Sequence, residues 1–351
     1  MSIILIVPSL KISGGNNEAL RMVNSLQHKE VFVVSMWRAS YPMKSSAPVV
    51  YLSNWSPNVF RALVDLVPLT FFFARWLNDF DRKGQEKPKK FIFTHYSTLP
   101  LAFLVPKISR YFFVQGVEWH FTNNPLLSLL LKWIILTVYR SGQIITANKF
   151  LTGQMEVAGL KVSGEMPIWA SGAFKSFANR YRDIDYVMVL RKGQVKRLDL
   201  YKDFIARALT KKRRIAIITP EDEVAVEFAS LSLILLRPTT DEMCDLYSRS
   251  RCFIHLSDHE GFGLPPLEAM GAGCVPICRD SGGIRAFLNS EFTSNLIIQK
   301  KLRPSQFFAE AESILSNANL LERYSKEVQR IFVEGLIESE NNRLRLALAL
   351  R

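Results

Sequence analysis

The run Cys252–Cys278, CFIHLSDHEGFGLPPLEAMGAGCVPIC, decides the fold. Its two ends, CFIHLS and VPIC, are short apolar segments bounded by turn residues, the pattern of buried strands. Between them Gly261 and Gly263 allow a close backbone approach. Pro265 and Pro266 suit the first turn of a helix, where a missing N–H costs little, so a helix starts near Leu264. Strand, tight loop, helix and strand in that order make one unit of a parallel sheet.

Working outward, the same alternation fills both halves of the chain. The second half carries YVMVL, RIAIIT, LILL, CFIHLS, VPIC and LIIQ, spaced by helical stretches such as Leu200–Leu209 and Asp241–Ser248. The first half carries IILIV, a helical stretch from Gly14 to Gln27, VFVVS, FIFTH, YFFVQ, the Leu-rich helix Pro125–Tyr139 and QIITA. At 351 residues the chain exceeds what one hydrophobic core usually organises. The expected fold class is therefore α/β, with two Rossmann-like, doubly wound domains facing a cleft. The expected boundaries are residues 1–165 for the first domain, a Pro-, Gly- and Ser-containing linker at 166–185, and 186–335 for the second. A final helix at 336–351 is expected to reach back to the first domain.

In open parallel sheets ligands bind beyond the carboxyl ends of the strands, which directs attention to the residues just after them. Beyond CFIHLS, the amides of Phe262, Gly263 and Leu264, with the positive end of the following helix, suit a diphosphate or sugar oxygens. Glu260 and Glu268 flank them, and carboxylates accept hydrogen bonds well from sugar and ribose hydroxyls. Beyond YVMVL stand Arg191 and Lys196, in the most basic part of the chain: residues 175–214 hold 13 Lys or Arg against four acids. Fixed cations there would stabilise a leaving diphosphate. After the first strand, Gly14 and Gly15 form a glycine pair at a helix start. They lack the third glycine of a dinucleotide fingerprint, which disfavours a nicotinamide oxidoreductase.

Glu260 and Glu268, with seven residues between them inside EGFGLPPLEAMGAGCVP, resemble the Glu-x7-Glu motif of glycosyltransferase family 4. The resemblance implies a GT-B fold and a retaining, metal-independent transfer from a nucleotide diphosphate sugar, with no cofactor. It implies that Glu260 faces the donor sugar, Glu268 the ribose, and Arg191 with Lys196 the diphosphate, since the family carries a similar Arg and Lys pair. Gly14 and Gly15 resemble its N-terminal glycine loop. The chain departs from the family after YFFV, where Gln115 stands in place of a frequent His; Gln cannot carry a proton, and Glu118, His120 and His95 lie close in sequence. The segment from Val114 to Glu118 resembles rhamnosyltransferases of the family that build surface polysaccharides. The implied function is glycosyl transfer to a glycan or lipid-linked glycan in bacterial surface polysaccharide synthesis. The alternatives are a GT-B nucleotide-sugar epimerase and a non-catalytic GT-B glycan- or partner-binding protein.

The formal charge of +13 favours phosphate-bearing partners or an anionic membrane surface. No zinc-finger spacing, RRM-like aromatic box or basic zipper helix is present, so nucleic acid is not an expected partner. Cys244, Cys252, Cys274 and Cys278 lack paired zinc-site spacing and read as reduced thiols. Met1 leads directly into the first strand without a basic and apolar leader, so a cytoplasmic location is expected. The helix Pro125–Tyr139 is too short to span a bilayer and is a candidate to lie on the inner face of the plasma membrane. Asp79-Phe80-Asp81 and Asp183-Ile184-Asp185 imitate the metal motif of the other glycosyltransferase fold, but neither follows a strand end, and both are expected to be solvated acids. The oligomeric state is not encoded in any of these features.

Overall fold

A computed structural model describes residues 2–10, 16, 19–21, 30–39, 45–53, 66–82, 90–122, 124–177, 181–231 and 233–349. The chain divides into two compact units. One comprises Met1–Trp119, Asn124–Ile168 and Glu340–Arg351, the other His120–Asn123 and Trp169–Ser339. Gly14 and Gly15 lie outside the described residues.

The first unit is built on a parallel sheet of strands β1 (Ser2–Ser9), β2 (Glu30–Trp37), β3 (Val49–Tyr51), β4 (Lys90–Phe93), β5 (Arg110–Val114), β6 (Gln143–Thr146) and β7 (Val162–Glu165), in the order β3-β2-β1-β4-β5-β6-β7. β1 lies between β2 and β4, pairing Ile4 with both Phe32 and Phe91. Ile3 to Val7 are fully buried. Continuous apolar runs of this kind belong to strands covered on both faces. The two edge strands were not legible as strands: β3 has three residues, and β7 reads Val-Ser-Gly-Glu. Each needs only one neighbour and stays half-exposed, so neither requires an apolar run.

The second unit repeats the plan with β8 (Ile184–Val189), β9 (Ile215–Thr219), β10 (Ile234–Leu236), β11 (Ser250–His255), β12 (Val275–Arg279) and β13 (Ile297–Ile298), in the order β10-β9-β8-β11-β12-β13, all parallel. Two parallel, doubly wound sheets match the α/β plan expected from the sequence. The helix Thr240–Arg249 is fixed by a capping box in which Thr239 and Glu242 satisfy each other's backbone amides. The helix Leu264–Gly271 begins where the prolines placed it. No helix among the described residues is long and apolar enough to cross a membrane.

One expectation is corrected here. Asp183 and Asp185 are not solvated: their side chains are only 16% and 15% exposed. Asp183 accepts Arg249 Nε and Nη2 at 3.0 and 2.9 Å. Asp185 accepts the Arg214 amide at 3.0 Å. The pair closes the start of β8 rather than presenting acids to water, because arginines from other elements neutralise it.

The second unit is packed tightly where the helix Leu264–Gly271 ends. A β-carbon at Gly271 would stand 2.8 Å from Phe174 Cβ and 2.9 Å from Phe332 Cζ. Neither ring has room to move within a close-packed core. We expect Gly271→Ala to destabilise this unit by about 1–3 kcal/mol in denaturant unfolding; an unchanged midpoint would contradict this packing.

Candidate functional site

The site begins with a loop clamped at the carboxyl end of β11. The Glu260 amide donates to Ser281 O at 2.9 Å, and the Gly283 amide donates to Glu260 O at 3.1 Å, forming a short parallel bridge between the loops after β11 and β12. The approach is so close that a β-carbon at Gly283 would stand 2.5 Å from both Gly261 C and Phe262 N. Only glycine fits there. The Ser281–Gly283 loop was missed in the sequence, although the strand-end rule applies to β12 as well as to β11.

This clamp turns the Glu260 carboxylate inward, where Lys196 Nζ donates to its Oε1 at 2.6 Å. Burial pushes the Glu260 carboxyl up, but its charge and hydrogen-bond partners, the Lys196 ammonium foremost, outweigh it and hold the group below the ordinary carboxylate range. His255 ends β11 with its Nε2 3.7 Å from the same oxygen. Burial, reinforced by Lys196, lowers the imidazole pKa to about 4, so the ring is neutral at neutral pH. His255 was also missed, because a histidine ending a buried strand carries no distinguishing spacing.

Lys196 sits in a turn that a second network secures. The Asp258 amide donates to Val195 O at 2.8 Å, and the Asp258 carboxylate accepts Arg197 and Arg279, each at 3.0 Å. Arg197 holds φ at +53°, a conformation that costs a non-glycine residue energy unless its surroundings impose it. Beside this network a cavity of about 380 Å³ is lined by Arg197, Leu200, Phe204, Arg279 and Phe307 among others, and by none of the predicted site residues.

Much of the basic segment 175–214 proves to be internally paired. Lys192 meets Glu223, Lys202 Glu227, Arg207 Asp203, Arg213 Glu312 and Arg214 Asp183. Arg191, half-buried just past β8, has no hydrogen bond or ion pair among the described residues.

Of the loop residues, Phe262 buries its ring against Trp169 and Phe287, at 5.9 and 5.4 Å between centroids. Its side chain is core; only its backbone faces the site. The N–H groups of Phe262, Gly263 and Leu264 donate to nothing among the described residues, and Gly263 takes φ of +94° as the N-cap of the helix. Amides left open at a helix start form a ready anion site. Glu268 lies one helical stretch away in different surroundings. It is half-buried beside Tyr247 and Cys244, whose pKa values are raised by burial first and by the Glu268 charge among the further causes. The structure thus brings Lys196, Glu260 and His255 together at the loop that carries the open amides, while Glu268, one turn along the helix, has Tyr247 and Cys244 as neighbours.

In the first unit, Gln115 follows β5 with its Oε1 buried and unpartnered among the described residues. Glu118 accepts the Tyr96 amide at 3.2 Å, and burial raises its pKa to about 8. His95 Nδ1 accepts the Ser97 amide at 3.2 Å, and burial lowers its pKa to about 4.

A neutral buried His255 makes a pH prediction. Its folded pKa of about 4 lies below the ordinary 6.5, so the unfolded chain binds the extra proton between these values. Its contribution to stability is present above pH of about 6.5 and is lost as pH falls towards 4. His95 acts the same way in the first unit. We expect His255→Gln to flatten the acid-side loss of stability of the second unit in denaturant titrations; an identical pH slope would overturn the assignment of a neutral ring.

Comparison with known proteins agrees with the geometry. Residues 232–330, which include Glu260 and Glu268, match the family model described as Glycosyl transferases group 1. A putative glycosyltransferase 63 of a Sulfolobus islandicus filamentous virus is 27% identical over 165 residues, 45% of this chain and 54% of that protein. The chain thus spans about half the length of that relative, and less of other curated relatives it matches. Among solved structures, sucrose-phosphate synthase from Thermosynechococcus elongatus superposes with a TM-score of 0.79 at 12% identity, covering 100% of this chain and 98% of that one. Anabaena Alr3699/HepE, solved with UDP and glucose, superposes with a TM-score of 0.71 at 12% identity, covering 100% and 99%. The fold along the whole chain is GT-B, and the segment that carries both glutamates is similar to the glycosyl transferases of group 1.

Proposed function

We propose that this chain is a glycosyltransferase that moves a sugar from a nucleoside diphosphate sugar to a hydroxyl of a glycan or lipid-linked glycan, as in the synthesis of a surface polysaccharide. The observation that carries this reading is the Lys196–Glu260 pair, 2.6 Å apart, with three open amides further along the Glu260 loop and an unpaired Arg191 past the neighbouring strand β8. That set offers acceptors for sugar hydroxyls and donors for phosphate oxygens. The matched segment 232–330 and the likeness to a protein solved with UDP and glucose support the same reading.

In the reaction, the bond between the sugar's anomeric carbon and the diphosphate oxygen breaks while the acceptor oxygen bonds to that carbon. Negative charge grows on the leaving diphosphate, where Arg191, Lys196 and the amides of Phe262, Gly263 and Leu264 stabilise it. Glu260 holds the sugar hydroxyls, and Glu268, one turn along the helix, takes the ribose. Attack on the face that the diphosphate leaves gives retention, and the departing phosphate oxygen accepts the acceptor's proton. Gln115 is then no obstacle, since no protein base is required. Positioning and fixed charge supply most of the rate, without a metal.

The test is a panel of nucleotide sugars in thermal unfolding, with and without EDTA. One donor at about a hundred times its Kd should stabilise the chain by about 2.7 kcal/mol, unaffected by EDTA. Arg191→Ala and Glu268→Ala should each weaken that donor by about 1–3 kcal/mol, the usual scale for losing a hydrogen bond to a charged group. Sugar transfer to an acceptor should fall with them. Absence of stabilisation by any donor would contradict the proposal; stabilisation without turnover would favour a binding protein of the same fold.

A further inference from the structure

The first unit carries an apolar surface that sugar transfer does not explain. Of the helix Pro125–Tyr139, only Ile135, Leu136, Val138 and Tyr139, all near its carboxyl end, are buried against the unit. Most of the other residues are apolar and exposed: Leu126 is 78% exposed, Leu129 66% and Trp133 66%. Exposed apolar side chains are ordinary when scattered, but a contiguous set marks an interaction site. The set continues beyond the helix. Arg110 donates to Ser141 Oγ at the end of the helix and to Val105 O, and its guanidinium lies over the Phe103 ring at 5.8 Å. Phe103, 62% exposed, is thereby held beside the helix end, and Ile108, 81% exposed, stands two residues before Arg110.

The topology adds a third element. The connections from β3 to β4, β4 to β5 and β5 to β6 all cross the sheet in one direction. Right-handed crossovers place their helices on one face. That face therefore also carries Leu66–Arg82, whose Phe71 is 64% exposed.

Charge selects the occupant. From His95 to Met155 the chain holds five basic residues, Lys107, Arg110, Lys132, Arg140 and Lys149, and one acid, Glu118. Glu118 is buried, so no carboxylate in this stretch faces solvent; the exposed acids Asp79 and Glu156 belong to the other helices of this face, Leu66–Arg82 and Lys149–Val157. Lys107 and Arg140 are exposed, flanking the apolar set at the helix end. Lys132 is turned inward over the Trp119 ring at 5.8 Å, which leaves the outer side of the helix to Leu and Trp. An apolar helix that carries a tryptophan, is flanked by cations and lacks acids fits the boundary between headgroups and acyl chains of an anionic bilayer. Its 15 residues are about 22 Å long, enough to lie in that boundary and too few to span.

We propose that the exposed helix Pro125–Tyr139, with Phe103 and Ile108, docks this protein on an anionic lipid bilayer, the leucines and Trp133 entering the interface and Lys107 with Arg140 meeting lipid phosphates. The proposal stands on this surface alone and goes beyond the sugar-transfer reading.

The experiment is sedimentation of the full chain with vesicles of phosphatidylcholine, with and without phosphatidylglycerol. Wild type should sediment with the anionic vesicles, less so at high salt, and remain in the supernatant with phosphatidylcholine alone. The pair Leu129→Asp and Trp133→Asp, both at exposed positions, should abolish sedimentation while leaving the melting temperature unchanged. The pair Lys107→Gln and Arg140→Gln should weaken binding about twenty-five-fold, about fivefold per cation. Equal sedimentation of wild type and the Asp pair would overturn the proposal. So would a wild-type dimer by light scattering that ignores vesicles and becomes monomeric in the Asp pair, since a second copy would then cover the face. Donor stabilisation in solution, read on the same samples, separates failure of this proposal from failure of the sugar-transfer reading.

Discussion

A carboxylate withdrawn from water at the end of a strand needs a cation and hydrogen-bond donors within reach, and Glu260 finds Lys196 at 2.6 Å and the Ser257 hydroxyl. Much of the local architecture follows from this requirement. The bridge to Gly282 and the glycine at 283 turn the carboxylate inward. Asp258, two residues earlier, binds Arg197, Arg279 and the Val195 carbonyl, and so fixes the turn that carries Lys196. His255 stays neutral beside the pair, where a second positive charge would compete with Lys196 for a single carboxylate.

The same accounting changes the meaning of the basic segment 175–214. Its surplus of cations suggested phosphate binding, yet side chains from Arg182 to Arg214 mostly close the fold. Arg182 caps the carbonyls of Ser250 and Ala272, and five other cations pair with acids outside the site loop. Arg191 alone among those strand-end residues at 190–197 that carry charge is without a described partner, so its place past β8 matters more than the density of charge around it. Arg191, unlike Lys196, can meet a phosphate without sharing an existing partner.

The sequence was most informative where local chemistry sets local structure. Gly263, Pro265 and Pro266 fixed the start of the helix at Leu264, and buried parallel strands announced themselves as apolar runs. It was least informative where long-range partners decide. Asp183 and Asp185 read as solvent-facing acids because Arg249, Arg214 and Arg251 reach them from distant positions. His255 and the Ser281–Gly283 loop join Glu260 only through the pairing of β11 with β12. Phe262 entered the reading of the site through its amide, which is open, while its ring belongs to the core. Spacing placed Glu260 and Glu268 in one motif, while the fold gives them separate neighbours.

The most direct measurement of this account is a double-mutant cycle on the pair at its centre, with Lys196→Met, Glu260→Gln and the double variant unfolded in denaturant. A carboxylate buried against one ammonium predicts a coupling of about 1–3 kcal/mol, with the double variant less damaged than the sum of the single ones. Additive costs, with no coupling beyond about 0.5 kcal/mol, would mean that Glu260 is held by its backbone clamp alone and that Lys196 is a neighbour without consequence.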